Sequence, residues 1–327
     1  MGKFKVVITD REYETIDNEK RILSRIDADV FDYQYKDMDH ILEVAKDADA
    51  IIVQYAKMPR ELIAQLEKCR IICRYAIGYD GIDTQAATDH GIYVCNVNTY
   101  CQDEVATHAL AMLLELARRV SKYDRWVRDG NWFRMPGRQH SLKEQTIGII
   151  SYGRIARLFA EKVKPLCSNI WAYDPYVDDE TIRKGGVEPK SLDEIIENSD
   201  YISIHCPLTP ETRHMFDKGA FRRMKNTASI INCGRGAVIS EDALVWALEN
   251  GEIHGAGLDV LEQEPPAPDN PLFRFDNVYL NPHTAWYSVE AQKVLQSTPA
   301  EDIVLALTGK VPKNVVNPEV LKKLGKA

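Results

Sequence analysis

Three side chains with distinct chemistry each stand just past a short apolar run. Arg235 follows ASIINC within the segment NCGRG, Glu264 lies in the proline-rich loop after GAGLDV, and His283 follows VYLNP. A guanidinium is a planar fork of donors suited to a carboxylate. An imidazole changes charge near neutral pH, so it can give or take a proton. Gly234 and Gly236 flank the arginine and let the backbone pass close to a ligand. Singly, each residue has a plain structural explanation: an ion pair, a solvated loop carboxylate, a locally satisfied histidine. Their shared position at strand ends gives them weight, because ligands collect at the carboxyl ends of strands in doubly wound α/β folds.

A second signal concerns a phosphate-bearing ligand. The segment TIGIISYGRIARLFAEKVKPL runs from strand to helix through Ser151-x-Gly153-x-x-Ala156, an eroded form of the dinucleotide fingerprint G-x-G-x-x-G/A. Gly153 would let a pyrophosphate approach the backbone at the helix N-terminus, and Ala156 is small enough for helix-sheet packing. Ser151 breaks the pattern at the tight-turn position. The next strand, NIWAYD, ends at Asp174, close to the expected spacing of about 20 residues. A carboxylate there can accept hydrogen bonds from ribose hydroxyls and would repel a 2′-phosphate. No Arg or Lys flanks it in AYDPY, so NAD is expected rather than NADP. The plain alternative is a β-α turn with a surface Asp.

The elements that must carry these residues are readable from pattern. Continuous Val/Ile-rich runs alternate with amphipathic stretches, as in β-α units around a buried parallel sheet. Strands are expected at Lys5 to Thr9, Val30 to Tyr35, Ala50 to Gln54, Arg70 to Tyr75 and Tyr93 to Asn96. A second set is expected at Thr146 to Ser151, Asn169 to Tyr173, Tyr201 to Cys206, Ala228 to Cys233, Ala256 to Val260 and Val278 to Leu280, making a six-stranded sheet. Between the sets lie a helix from Asp103 to Arg119 and a polar, Trp-bearing arm from Tyr123 to Gln145. The run Glu262 to Phe273 holds too many prolines for helix or central strand. A last helix spans Val289 to Thr308.

Composition bounds the rest. A chain of 327 residues fits two domains, and 45% apolar with 28% charged residues is ordinary for a globular protein. The start, MGKFKVVITD, has no signal-peptide character, no apolar run is long enough to cross a membrane, and KKLGKA matches no lipidation or retention signal. The expected location is the cytoplasm. A net charge of −8 argues against nucleic acid and anionic membrane as partners. The seven cysteines show no metal-ligand spacing, and no metal is expected; Cys69, Cys73, Cys95, Cys206 and Cys233 read as buried free thiols.

Taken in order with their neighbours, these segments resemble the D-isomer-specific 2-hydroxyacid dehydrogenase family, over about Val6 to Val316. The resemblance is carried by AIGYDGID (Ala76 to Asp83), SYGRIA (Ser151 to Ala156), HCPLTPETRH (His205 to His214), INCGRGAVISEDAL (Ile231 to Leu244), GLDVLEQEPP (Gly257 to Pro266) and NPHTAW (Asn281 to Trp286). Within the family, HTAWYS and CNV look most like the branch of C-terminal-binding proteins, NAD-binding corepressors. The resemblance implies two doubly wound, Rossmann/flavodoxin-like parallel-sheet domains with a cleft between them. Residues 1–99 and 290–327 would form a discontinuous substrate domain, and 100–289 an inserted NAD domain. A homodimer through the NAD domain, with the Tyr123 to Gln145 arm as a contact, is implied as well.

The resemblance also implies residue roles. Arg235 would bind the carboxylate and polarise the carbonyl of a 2-oxo acid, and His283 would be the acid-base group. Glu264 would hydrogen-bond the other imidazole nitrogen; each pKa unit of such support is worth about 1.4 kcal/mol. Cofactor contacts are expected at Thr107, Tyr152, Gly153, Arg154, Ile155, Asp174, Pro175, Cys206, Pro207, Thr212, Cys233, Gly234, Asp259 and Ala285. Substrate contacts are expected at Ala76, Ile77 and Gly78, where Ala76 replaces a usual glycine, and at Trp286, which would roof the pocket. Two rivals stand beside this reading. One is a corepressor-like scaffold that binds NAD with little turnover. The other is a related dehydrogenase of 3-phosphoglycerate, formate or phosphite, against which stand the short segment after the last helix, Glu264 in place of Gln, and Ile77 in place of Lys.

Overall fold

The computed structural model describes residues 2–132 and 139–326. The chain divides into two compact units, Met1–Tyr100 with Ser288–Ala327, and Cys101–Tyr287.

In the first unit, runs of Val and Ile make four strands that are largely buried on both faces, the condition for a parallel sheet covered by helices, while a fifth, Ala28–Asp32, is only half-buried at the sheet edge. These are β1 (Phe4–Ile8), β2 (Ala28–Asp32), β3 (Ala50–Val53), β4 (Ile71–Arg74) and β5 (Tyr93–Cys95). They are parallel and ordered β2-β1-β3-β4-β5, the flavodoxin-like arrangement. Asp37 and Asp83 cap the helices Met38–Ala45 and Thr84–Asp89 by accepting from His40 N and Ala86 N. The late helix Val289–Leu307 packs against helix Asp17–Leu23 and β4, tied by Gln296 Nε2 donating to the Thr15 carbonyl at 2.8 Å.

The second unit is built on β6 (Thr146–Ile150), β7 (Asn169–Tyr173), β8 (Glu188–Pro189), β9 (Tyr201–Ile204), β10 (Ser229–Asn232), β11 (Gly255–Leu258) and β12 (Val278–Leu280). Their order is β12-β11-β10-β9-β6-β7-β8, which places the topological switch between β6 and β9. The expected six strands are therefore corrected to seven. The addition, β8, is two residues paired to Trp171 and Ala172, too short to show a pattern, and its proline is tolerated because it lies at the sheet edge. Helix Gln102–Arg118 buries Met112, Leu113 and Leu116 on one side of this sheet.

Several strands end before the expected residue. Ser151, Cys206, Cys233 and Val260 lie beyond the hydrogen-bonded ladder, although Cys206 and Val260 are still buried. At Cys206 and Val260 burial continues one or two residues into the loop, so apolar pattern alone overruns the strand there. The proline-rich run is a loop as far as Asn270 and then closes in a 3₁₀ turn, Pro271–Arg274, where Asn270 Oδ1 accepts from Leu272 N at 2.9 Å. Part of the expected arm is a helix, Val120–Arg128; residues 133–138 of it lie outside the described residues. All seven cysteines are free thiols, with Cys69 and Cys233 only partly buried. No helix among the described residues is long and apolar enough to cross a membrane.

Candidate active site

The Arg235 loop leaves β10 through an Asx turn. Asn232 is fully buried; its Oδ1 accepts from Gly234 N at 3.0 Å and its Nδ2 donates to the Arg235 carbonyl at 2.9 Å. The arginine backbone is thereby clamped in an extended conformation (φ −139, ψ 133), and one guanidinium nitrogen donates to the Gly234 carbonyl at 2.9 Å. The next residue must be glycine, because a Cβ on Gly236 would overlap the Leu261 carbonyl and lie 2.6 Å from the Glu262 amide nitrogen. The Arg235 loop and the Glu264 loop therefore touch backbone to backbone.

Glu264 and His283 meet across that second loop. Glu264 Oε2 stands 2.7 Å from His283 Nδ1, and Oε1 accepts from Leu261 N at 2.9 Å. Partial burial works to raise the Glu264 pKa, but the hydrogen bond and charge of His283, the Leu261 amide and Arg235 prevail and hold it below the ordinary glutamate value. With Nδ1 occupied, Nε2 is the ring nitrogen that can address a substrate. His283 sits in the left-handed region (φ 54), unusual for a residue with a Cβ, and its amide donates to the Asp259 carbonyl at 2.8 Å. Buried Asp259 completes the clamp by accepting from Thr284 N at 2.9 Å and Ala285 N at 3.0 Å, with His108 Nε2 3.6 Å from Oδ1. Trp286 is half-buried, its ring edge-on to Tyr287 at 5.5 Å.

At the switch point, Ser151 adopts φ 72 and so keeps the turn that the fingerprint normally gives to glycine. Helix Arg154–Val163 starts at Gly153, where no side chain caps it and a Cβ would meet nothing within 4 Å. Its first N–H groups, among them those of Arg154 and Ile155, face an open approach, which suits a pyrophosphate. Asp174 is the first residue past β7; Oδ2 accepts from Tyr152 N at 2.7 Å and Ser151 Oγ at 3.1 Å, and Oδ1 from Tyr176 N at 2.8 Å. Tyr152 is 1% exposed with its ring in the core, so only its backbone is offered here. After β9, buried Cys206 and exposed Pro207 lead into a turn in which Thr212 Oγ1 donates to the Pro207 carbonyl at 2.7 Å. Burial pushes the Cys206 thiol up to about 11 and the Cys233 thiol well above its usual value, so both are neutral at physiological pH. Thr107 lies exposed on helix Gln102–Arg118, and Pro175 is exposed beside Asp174.

The loop Ala76 to Gly78 belongs to the first unit and follows β4. The Ala76 carbonyl accepts from Val97 N at 3.0 Å, and the Ile77 carbonyl from Asn96 Nδ2 at 2.6 Å. In a trans peptide the N–H points opposite to its C=O. Tying back these two carbonyls therefore turns the Ile77 and Gly78 amides the other way, as an anion-binding loop needs.

The structure thus gathers Arg235, Glu264, His283, Asp259 and Ala285 on adjoining loops of one sheet, and Ser151 to Ile155 with Asp174 at its switch point. Two organising residues escaped sequence reasoning. Asn232 had a usable signal, an Asn immediately before Cys-Gly-Arg-Gly at a strand end. His108 had none, being one residue in a helix whose proximity to Asp259 depends on tertiary packing.

A sheet of this strand order, with an open helix N-terminus at its switch point and an imidazole-carboxylate pair at its strand ends, is the framework of a dinucleotide-dependent dehydrogenase. The model of the D-isomer-specific 2-hydroxyacid dehydrogenase NAD-binding domain matches residues 110–285. A glyoxylate reductase of Korarchaeum cryptofilum is 40% identical over 289 residues, 86% of this chain and 86% of that protein. A D-3-phosphoglycerate dehydrogenase of Methanocaldococcus jannaschii is 39% identical over 88% of this chain, which spans 56% of that longer protein. The crystal structure of D-lactate dehydrogenase from Aquifex aeolicus, complexed with NAD and lactic acid, superposes with a TM-score of 0.87 at 28% identity, covering 95% of this chain and 99% of that one. The chain belongs to the D-isomer-specific 2-hydroxyacid dehydrogenase family and is an NAD-dependent oxidoreductase.

Proposed function

We propose that this protein reduces a small 2-oxo acid of the glyoxylate or hydroxypyruvate class to its D-2-hydroxy acid, and runs the reverse reaction when driven. The carrying observation is the Glu264–His283 pair at 2.7 Å on a loop packed directly against the Arg235 loop. The substrate class is supported by the glyoxylate reductase relative, matched over most of both chains. NAD, when bound, supplies and accepts the hydride at its nicotinamide ring.

The chain's own residues do the rest. Helix N-terminal amides beyond Gly153 hold the pyrophosphate, and Asp174 accepts from the adenosine ribose. Cys233 and Asp259 line the nicotinamide end, and Cys206, Pro207, Thr212, Gly234 and Ala285 are further cofactor contacts, with Thr107 and Pro175 as outlying ones. Arg235 binds the substrate carboxylate and stabilises charge building on the carbonyl oxygen. The Ile77 and Gly78 amides, with Ala76, offer donors suited to a substrate carboxylate, and Trp286 offers an apolar face to the small side chain. His283 delivers the proton from Nε2 during reduction while Glu264 holds the ring by Nδ1. In this division of labour the unit Met1–Tyr100 with Ser288–Ala327 is the substrate domain and Cys101–Tyr287 the NAD domain. A homodimer through the second unit is part of the reading, supported by exposed Val120, Val127 and Trp132 around the arm; light scattering in solution tests it.

The test is NADH oxidation followed at its absorbance band with glyoxylate, hydroxypyruvate, pyruvate, phosphohydroxypyruvate and branched 2-oxo acids. Turnover of the small acids with the D product supports the proposal, and preference for the phosphorylated acid would reassign it to the phosphoglycerate enzymes. Tight NADH binding with no turnover would place the protein with the corepressor-like scaffolds that HTAWYS and CNV resemble. Arg235→Ala should lower kcat/KM by a factor equivalent to about 2–5 kcal/mol, as for other lost charged contacts.

A further inference from the structure

The departure from the fingerprint at Ser151 has a chemical consequence at Asp174. An ionised carboxylate offers about four lone-pair sites, two on each oxygen. In this protein Oδ2 already takes Tyr152 N at 2.7 Å and Ser151 Oγ at 3.1 Å, and Oδ1 takes Tyr176 N at 2.8 Å. One site remains, on Oδ1. A vicinal diol gripped by both oxygens needs one vacant site on each. With glycine at position 151, Oδ2 would keep the Tyr152 bond and regain its second site. The serine is not there for the turn, since it occupies φ 72, a conformation that glycine adopts without penalty.

We infer that Ser151 sets the affinity for the adenosine half of the cofactor, its hydroxyl holding the Asp174 acceptor site that would otherwise take a second ribose hydroxyl. This rests on the reading of Asp174 as the ribose acceptor. Wild-type protein therefore grips the ribose through one hydroxyl, and cofactor exchange is faster than a glycine turn would allow. Ser151 is a positioning residue that acts through Asp174.

The experiment measures dissociation constants by calorimetry for NADH and for its 2′- and 3′-deoxyadenosine analogues, on wild type, Ser151→Gly, Ser151→Ala and Asp174→Ala, with a thermal melt of each variant to report folding. Ser151→Gly is expected to tighten NADH about tenfold, the scale of one hydrogen bond to a charged acceptor. Ser151→Ala keeps the strained backbone and loses only the hydroxyl, so it should tighten NADH in the same direction. The wild type should be indifferent to loss of one of the two hydroxyls, whereas Ser151→Gly should be weakened by loss of either. Backbone strain alone would not produce that change in analogue preference. If Asp174→Ala weakens NADH but both Ser151 variants bind NADH and its analogues as wild type does, the inference about Ser151 fails while the ribose reading stands. Should folded Asp174→Ala bind NADH like wild type, the ribose reading fails and takes the inference with it.

Discussion

Gly236→Ala isolates the contact that brings the arginine and the imidazole-carboxylate pair onto one framework. A Cβ at this position would overlap the Leu261 carbonyl and stand 2.6 Å from the Glu262 nitrogen, where ordinary contact begins at 3.4 Å. Both obstacles are backbone, so no side chain can swing aside, and the two loops must part by about 1 Å. Leu261 is also the residue whose amide holds Glu264 Oε1, and Glu264 in turn holds His283. The displacement therefore reaches the proton donor as well as the guanidinium. A misplacement of about 1 Å in reacting geometry can cost about 100-fold in rate, near 2.7 kcal/mol. Initial rates of NADH oxidation over a range of glyoxylate concentrations should show kcat/KM reduced by that order, with the loss in kcat as well as in KM. A thermal melt and an NADH titration report whether the variant is folded and binds cofactor. Folded Gly236→Ala with kcat/KM within about threefold of wild type would refute the argument that this contact sets the catalytic geometry.

Other expectations follow from individual environments. Glu264→Gln keeps a hydrogen-bond acceptor but removes the charge facing His283; because both side chains are partly exposed, the loss in kcat/KM at neutral pH should be about tenfold rather than the full effect of a buried pair. Its carboxyl is held below the ordinary glutamate value, so the support that Glu264 gives the fold is present above that value and disappears only as pH falls through the lowered one; a denaturant titration series from pH 6 to 3, absent its acid step in Glu264→Gln, checks the sign. Burial lowers the His205 pKa from 6.5 to about 4 beside Phe159 and Ser203. The unfolded chain thus binds a proton first, and stability should decline as pH drops from 6.5 toward 4, by at most about 3 kcal/mol because the residue keeps some accessible surface. His205→Asn should flatten that stretch of the chemical-denaturation curve, and an unchanged slope would show that the ring is not secluded in solution.

Much of this protein was determined locally. Continuous Val/Ile runs bury both faces of a strand wherever they are placed, so the parallel sheets and the positions of Arg235, Glu264, His283 and Asp174 past strand ends could be read from pattern. The overrun at Cys206 and Val260 shows the limit of that logic, because apolarity reports burial and not membership of the hydrogen-bonded ladder. The edge strand Glu188–Pro189 was illegible because two residues carry no period. What only the tertiary structure decided is who meets whom. That Gly236 packs on Leu261, that His108 lies beside Asp259, and that Ser151 spends its hydroxyl on Asp174 are contacts between residues far apart or facing across a turn. They depend on register and packing to within an ångström, and no one-dimensional spacing encodes such distances.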